Sequence, residues 1–302
     1  MADAHGSVKP ILYALGANLG IGMAKGFAAW YTGSGAMLAE AIHSFADSAN
    51  QLLLLMGLWR AKRPVSEEHP LGYGKAIYFW SFIVALMLFS MGGIFSIYEG
   101  VHKLIHPEMP QSPWVAVGVL GVAVLLELGS LRGALSEVKR VQGRRSLLKW
   151  FRQSRQSELI VVVGEDIAAL LGLLVALVAV IATMVLANPL FDALGTIAIG
   201  VVLVVVAAAL GVEVKSLLIG ESADPETVSA LHGFLTRRPE IAQVYSLITL
   251  QLGLELMVSA KVRMQETGTA LQLIEDINRV ELALRENFPQ VRWVFFEPDI
   301  HD

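Results

Sequence analysis

The chain has 302 residues, of which 55% are hydrophobic and only 17% charged, with a mean hydropathy of +0.58. That balance excludes an ordinary soluble domain and reads as an α-helical polytopic membrane protein. The absence of cysteine excludes disulfides and thiolate metal sites, and a net charge of −4 is too mild to argue for any partner.

The opening MADAHGSVKP has neither a basic stretch followed by a cleavable apolar core nor an Arg-rich amphipathic pattern, so no signal or transit peptide is expected. A prokaryotic plasma (inner) membrane is the simplest address. Six apolar spans follow, over about Ile11–Trp30, Ala36–Trp59, Ala76–Leu104, Trp114–Leu131, Leu159–Leu186 and Phe191–Val212. Each is near or above the roughly 20 residues a helix needs to cross the hydrocarbon core. The connection after the second span carries Arg60, Lys62, Arg63 and Lys75, and the one after the fourth carries eight Lys and Arg between Arg132 and Arg155. The other connections, YTGSG, HPEMPQSP and ANP, carry none. The positive-inside rule then places the basic loops and both termini in the cytoplasm. The basic run reads as a topology signal beside anionic lipid, not as a nucleic-acid site.

Beyond about Val212 the composition changes, which divides the chain into a transmembrane domain (1–212) and a cytoplasmic domain (213–302). Asp224 and Pro225 suit a helix start, and Val228, Leu231 and Leu235 give the helix over 223–238 an apolar face. Strands are expected over 244–252, with Ile248, Leu250 and Leu252 on one face, and over 256–264, with Val258, Ala260, Val262 and Met264 on one face. Gly253 offers the turn between them. A second helix over 269–288 and a strand over 291–296 complete an αββαβ, α+β domain. A core this modest makes pairing with a second copy plausible.

The chemistry sits in the ionisable residues inside the apolar spans. His43 and Asp47, four residues apart in the second span, share a helical face, with Glu40 one turn earlier and Asn50 near the same face. The fifth span carries Glu165 and Asp166, the first Asn18 and Lys25, and the fourth Glu127. An intramembrane carboxylate is costly, about 2.5–3.5 kcal/mol on insertion scales. Structural pairing or snorkelling suffices for Lys25 and Glu127, and an interhelical hydrogen bond for Asn18. A histidine with two or three carboxylates, by contrast, is a ligand set for a divalent cation.

These residues carry a resemblance. HSFAD in the second span resembles the His-x-x-x-Asp pair of the cation diffusion facilitator family, the ZnT-type transporters. HPLGYGK (69–75) resembles the family's cytoplasmic His-x-x-Gly-His-Gly-Lys, and Asp166 falls where the family has its second fifth-span ligand. Six spans followed by an αββαβ domain match its architecture, so the resemblance covers essentially the whole chain. It implies proton-coupled export of a divalent cation, zinc first, with manganese, iron(II), cobalt and cadmium open. It implies His43, Asp47 and Asp166 as metal ligands, a homodimer, and a lysine, here Lys75, that locks the dimer against a carboxylate; Glu221 is the nearest candidate. The chain is thus expected to be a secondary transporter and not an enzyme, with no resident cofactor. Protons and the lipid bilayer are its other expected partners.

Three departures stand out. Val162 occupies the position of the family's first fifth-span ligand, and Glu165 adjoins Asp166 instead. That Glu-Asp pair resembles the branch around the animal mitochondrial zinc exporter, and a carboxylate in place of an imidazole hardens the site toward manganese or iron(II). Glu165 is the candidate fourth ligand, although neighbouring residues point about 100° apart around a helix. In the loop, Tyr73 replaces the second histidine, leaving His69 with Glu68 as a poor accessory metal site. His102 and His106 offer an ion contact at the external end of the third span. The alternatives are a non-transporting metal-sensing or scaffolding membrane protein and a manganese- or iron(II)-selective exporter. An intramembrane metal hydrolase lacks its H-E-x-x-H-like motif.

Overall fold

A computed structural model describes the chain except residues 1–3, 33–34, 108–112, 144, 267 and 302; the side chains at 4–7, 28–29, 32, 35–40, 42–43 and 46 also lie outside the description. Long helices dominate: α1 (Ala4–Thr32), α2 (Gly35–Ala61), α3 (Ala76–Met87) continued through π-helical turns (Leu88–Ile94) into α4 (Phe95–Ile105), α5 (Pro113–Val141), α7 (Ser157–Leu186) and α8 (Leu190–Ile219). A short α6 (Leu147–Gln153), capped by Ser146 on the Lys149 N–H, bridges α5 and α7. Among the described residues, four helices are long and apolar enough to cross a membrane: Ala76–Ile105, Pro113–Val141, Ser157–Leu186 and Leu190–Ile219. At 30 residues, α7 is about 45 Å long, against a hydrocarbon core of about 30 Å. α1 and α2 are of similar length and carry polar residues inside the bundle: Asn18, Lys25, Ser44, Asn50 and Gln51 are all buried.

The helices close into a ring. α1 packs on α2 and α5, α5 on α7, α7 on α8, and α8 along α3, the π-helical turns and α4, while α2 returns to α3. Small residues let α4 and α8 touch backbone to backbone. A methyl group at Gly200 would lie 2.7 Å from Ile97 Cγ1 and 2.8 Å from the Gly93 carbonyl, and one at Gly93 would lie 2.6 Å from Val204. The bundle core is filled by Ile11, Leu54, Ile77, Val84, Leu159, Ile160 and Leu210, among others.

α8 runs on past the expected boundary at 212 to Ile219, because the buried stripe of Leu210, Val214 and Leu217 keeps helical spacing past Glu213 and Lys215; the break comes at Gly220, with φ 133°. The remaining chain folds as α9 (Pro225–Thr236), β1 (Ile241–Leu252), β2 (Glu255–Met264), α10 (Ala270–Asn287) and β3 (Val291–Pro298), the expected αββαβ order. Asp224 caps α9 by accepting from the Glu226 and Thr227 N–H groups, and Thr269 caps α10 on the Gln272 N–H. β2 is the central strand, antiparallel to β1 and parallel to β3. Its inner face, Leu256, Val258, Ala260 and Val262, is fully buried against Leu231, Leu235, Val280 and Leu284. β1 corrects one expectation. Thr249 is buried and Val244 and Leu247 pack on the core, whereas Ile248 points outward at 61% exposure. Irregularities in the β1–β2 register, between Ile241 and Gln243 and between Val244 and Ser246, set which side faces inward, and hydrophobicity alone did not reveal them.

The C-terminal domain meets the bundle through the β1–β2 turn. Gly253, at φ 69°, takes the first central position of a two-residue hairpin, where a II′ turn requires glycine. Tyr78, fully buried at the start of α3, accepts a hydrogen bond from the Gly253 N–H (3.1 Å) and donates one to its carbonyl (3.4 Å).

Candidate metal-transport site

The cation-binding residues expected from sequence fall on α2 and α7, and the bundle adds α1 and α5. α7 is buried on all sides from Ser157 to Asp166, since α3, α5 and α8 pack around that half. Glu165 and Asp166 are 4% and 2% exposed and, as adjacent helical positions must, they diverge. Glu165 turns toward α2. Its Oε1 accepts from Asn50 Nδ2 at 2.9 Å and its Oε2 from Gln51 Nε2 at 2.7 Å. Asn18 of α1 then donates to Gln51 Oε1 at 3.3 Å, the interhelical hydrogen bond expected of it. Asp166 turns toward α5, where Ser130 Oγ donates to its Oδ2 at 3.0 Å and the Glu127 side chain shares a hydrogen bond with it.

Asp47 is half-buried on α2; its charge acts on both Glu165 and Glu127, and Lys25 of α1 also acts on Glu127. Glu127, Ser130 and Ala134, with Ala123, form the buried stripe of α5, at helical spacing. Four carboxylates from three helices thus surround one polar layer inside an apolar bundle. Among the described residues, which leave out the His43 and Glu40 side chains, no three His, Asp or Glu side chains are arranged to share one ion. Glu165 is instead held by two amides, and Asp166 by a hydroxyl and the Glu127 carboxyl. Asn50 Oδ1 is buried and has no hydrogen-bond partner among the described residues, a deficit of about 1–3 kcal/mol in an apolar setting.

Sequence reasoning named Asp47, Glu165 and Asp166, and the structure brings them into one layer. It passed over Gln51, gave Asn50 no role and treated Glu127 as a bystander. Spacing could have found them: Asn50 and Gln51 stand three and four residues after Asp47, and Ser130 three after Glu127. The backbone of His43 lies on α2, but its side chain is outside the described residues.

The accessory expectations fare differently. The His69 ring stacks on Tyr73 at 4.3 Å in a turn where Ser66 Oγ accepts from the His69 N–H, and both His69 and Glu68 are exposed. Within one chain Glu221 takes Arg155 at 2.5 Å, while Lys75 Nζ lies 3.5 Å from the Leu218 carbonyl. The longer α8 turns its C-terminal carbonyls toward Lys75, and cations favour such ends. Asp299 is committed to Lys261 at 3.1 Å and to the N–H groups of Ile300 and His301. The His102 and His106 rings stand 4.8 Å apart at the end of α4.

Residues 11–219 match the model of the cation efflux transmembrane domain. The chain belongs to the cation efflux family. Its relatives include the "Proton-coupled zinc antiporter SLC30A9, mitochondrial" of Mus musculus and of Homo sapiens, each 34% identical over 231 residues, covering 76% of this chain and 41% of theirs. "Metal tolerance protein C4" of Arabidopsis thaliana is 32% identical over 222 residues, 72% of this chain and 49% of that one. "Cation-efflux pump FieF" of Klebsiella pneumoniae is 27% identical over 271 residues, 88% of this chain and 83% of that one. The chain therefore spans about two-fifths of the length of the mitochondrial antiporters it matches. Membership makes it a multi-pass membrane protein of a transporter family, not an enzyme.

Proposed function

We propose that this cation efflux family member exports a divalent cation, zinc first, in exchange for protons, from a site built on His43, Asp47, Glu165 and Asp166. The observation that carries the reading is the polar layer inside the helix bundle, where Glu127, Glu165 and Asp166 are buried and the charge of Asp47 acts on Glu127 and Glu165. Buried carboxylates of one sign repel, and a divalent cation or protons relieve that repulsion. Both compete for the same oxygens, because ligands bind metal only when deprotonated. Alternating access then couples them: the cation binds with the site open to the cytoplasm, protons displace it with the site open to the far side, and helices rock around a fixed midplane position. The names of the relatives, a proton-coupled zinc antiporter and a cation-efflux pump, agree with this exchange.

Basic loops after α2 and α5 favour cytoplasmic termini in an inner or plasma membrane. A homodimer is supported by the outer face of the sheet, where Ile248, Ser259 and Phe295 lie side by side across the three strands, with Ile248 61% and Phe295 54% exposed. One observation favours manganese or iron(II) as further cargo: with Val162 in place of a ligand, oxygen donors dominate the layer.

The test is Asp47→Ala in proteoliposomes under a metal gradient. Metal-driven proton flux falls to the background of empty liposomes; flux like that of the wild type would overturn the reading.

A further inference from the structure

Two neighbouring carboxamides on α2 grip the same carboxylate, but they are not equivalent. Gln51 is used at both ends: its nitrogen donates to Glu165 Oε2 and its oxygen accepts from Asn18. Asn50 is used at one end only. Its nitrogen donates to Glu165 Oε1, and Oδ1 of the same amide is buried with no partner among the described residues. With Glu165 ionised, as cation binding requires, its oxygens only accept, so the amide atom facing them is the nitrogen. Asn50 is 4% exposed, so its oxygen is set inside the bundle and not at its surface.

Position adds the second half. His43, Asp47 and Asn50 recur at the first, fifth and eighth places of one helical stretch, which is one face of α2. Asn50 thus joins a candidate ligand on its own helix to one on α7. A neutral carbonyl oxygen is a hard donor that suits manganese, magnesium and calcium better than it suits zinc.

We propose that Asn50 is a selectivity-determining ligand: its Oδ1 coordinates the transported cation beside Asp47 and Glu165 and biases the site toward harder divalent ions. The proposal rests on the site proposed above. Gln51, satisfied at both ends, is a positioning residue that keeps Glu165 turned toward α2. Asn50 does both jobs, orienting Glu165 through nitrogen and meeting the ion through oxygen.

The experiment compares Mn2+ and Zn2+ binding and uptake by the full-length protein, wild type against Asn50→Leu and Asn50→Asp. Leucine keeps the bulk and removes both functions; aspartate loses the N–H donor but keeps an oxygen. Asn50→Leu lowers Mn2+ affinity about tenfold more than Zn2+ affinity, and Asn50→Asp retains Mn2+ binding. An unchanged Mn2+ to Zn2+ ratio in Asn50→Leu, or Asn50→Asp matching Asn50→Leu, would overturn it. An independent readout uses wild-type protein carrying asparagine 13C-labelled at the side-chain carbonyl. Adding Mn2+ shifts a carboxamide band in the infrared difference spectrum, and that shift is absent from protein with Asp47→Ala. A spectrum with no shifted band overturns the proposal even if Asn50→Leu does not fold. Failure of the transport reading itself looks different: wild-type protein then moves neither ion against a proton gradient.

Discussion

At the scale of single residues, the chain separates charges it holds from charges it uses. Glu240 belongs to the first kind. It is buried at the start of β1, where Arg238 meets its two oxygens at 3.0 and 2.7 Å and Arg279 approaches to 3.5 Å. Burial pulls its carboxyl up, but a backbone hydrogen bond and the two guanidinium groups outweigh it and hold the carboxyl below its usual value of 4.5. A folded-state value below the unfolded one stabilises the fold above the unfolded value, and that contribution is lost as pH falls through the folded value. The unfolding midpoint of the C-terminal domain, followed by Trp293 fluorescence, therefore drops as pH is lowered below about 4.5, and Glu240→Gln flattens that limb. Asp47, Glu165 and Asp166 are the charges that the proposed transport would use: Glu165 and Asp166 are buried among amide, hydroxyl and carboxyl groups, and the charge of Asp47 acts on Glu165. Asp47 and the two fifth-span acids were legible because charge in an apolar run is rare. Asn50 and Gln51 were not, because an amide in a helix announces nothing until its partner on another helix is known.

At the scale of elements, length and apolarity located every long helix to within a few residues at most ends. Alternation found β2 and its buried face. What failed were the start of α1, the ends of α5 and α8, which run on as helix beyond their apolar spans, and the facing of β1. Hydropathy marks where an apolar span ends, not where its helix ends, and the side chains of a strand with irregular register do not keep strict alternation. The α4–α8 contact was equally hidden. Gly93 and Gly200 are ordinary glycines in sequence, but they stand where two backbones meet. Gly200→Ala forces a methyl into the Gly93 carbonyl and Ile97, and overpacking of this kind costs about 1–3 kcal/mol. The variant unfolds at lower temperature in detergent, whereas Gly118→Ala, with nothing within 4 Å of its added methyl, unfolds like the wild type.

At the scale of the whole molecule, the C-terminal domain is tied to the helix bundle by a turn and a tyrosine. The Gly253 hairpin sits against Gly74, so close that neither residue tolerates a side chain, and Tyr78 receives and returns a hydrogen bond there. Arg155 of the α6–α7 connection adds a second tie, through Glu221 and the Ser222 carbonyl. Tyr78→Phe removes both hydrogen bonds to Gly253, each worth about 1 kcal/mol net. The amide of Gly253 then exchanges faster with deuterium, while amides in the α10 core keep their protection. Unchanged exchange at Gly253 would mean that backbone packing alone holds the contact.

The amino-acid sequence by itself determined a multi-helix membrane protein with an αββαβ domain, and it picked out the costly acids, because hydrophobicity, helical spacing and the penalty for intramembrane charge are local properties. It also carried the family motifs in order. Only the tertiary structure decided how those acids are partnered. Glu165 is held by Asn50 and Gln51, Asp166 by Ser130 and Glu127, and Glu221 by Arg155. Those choices depend on the rotation of each helix about its own axis against its neighbours, which packing of the whole bundle sets and no single stretch encodes.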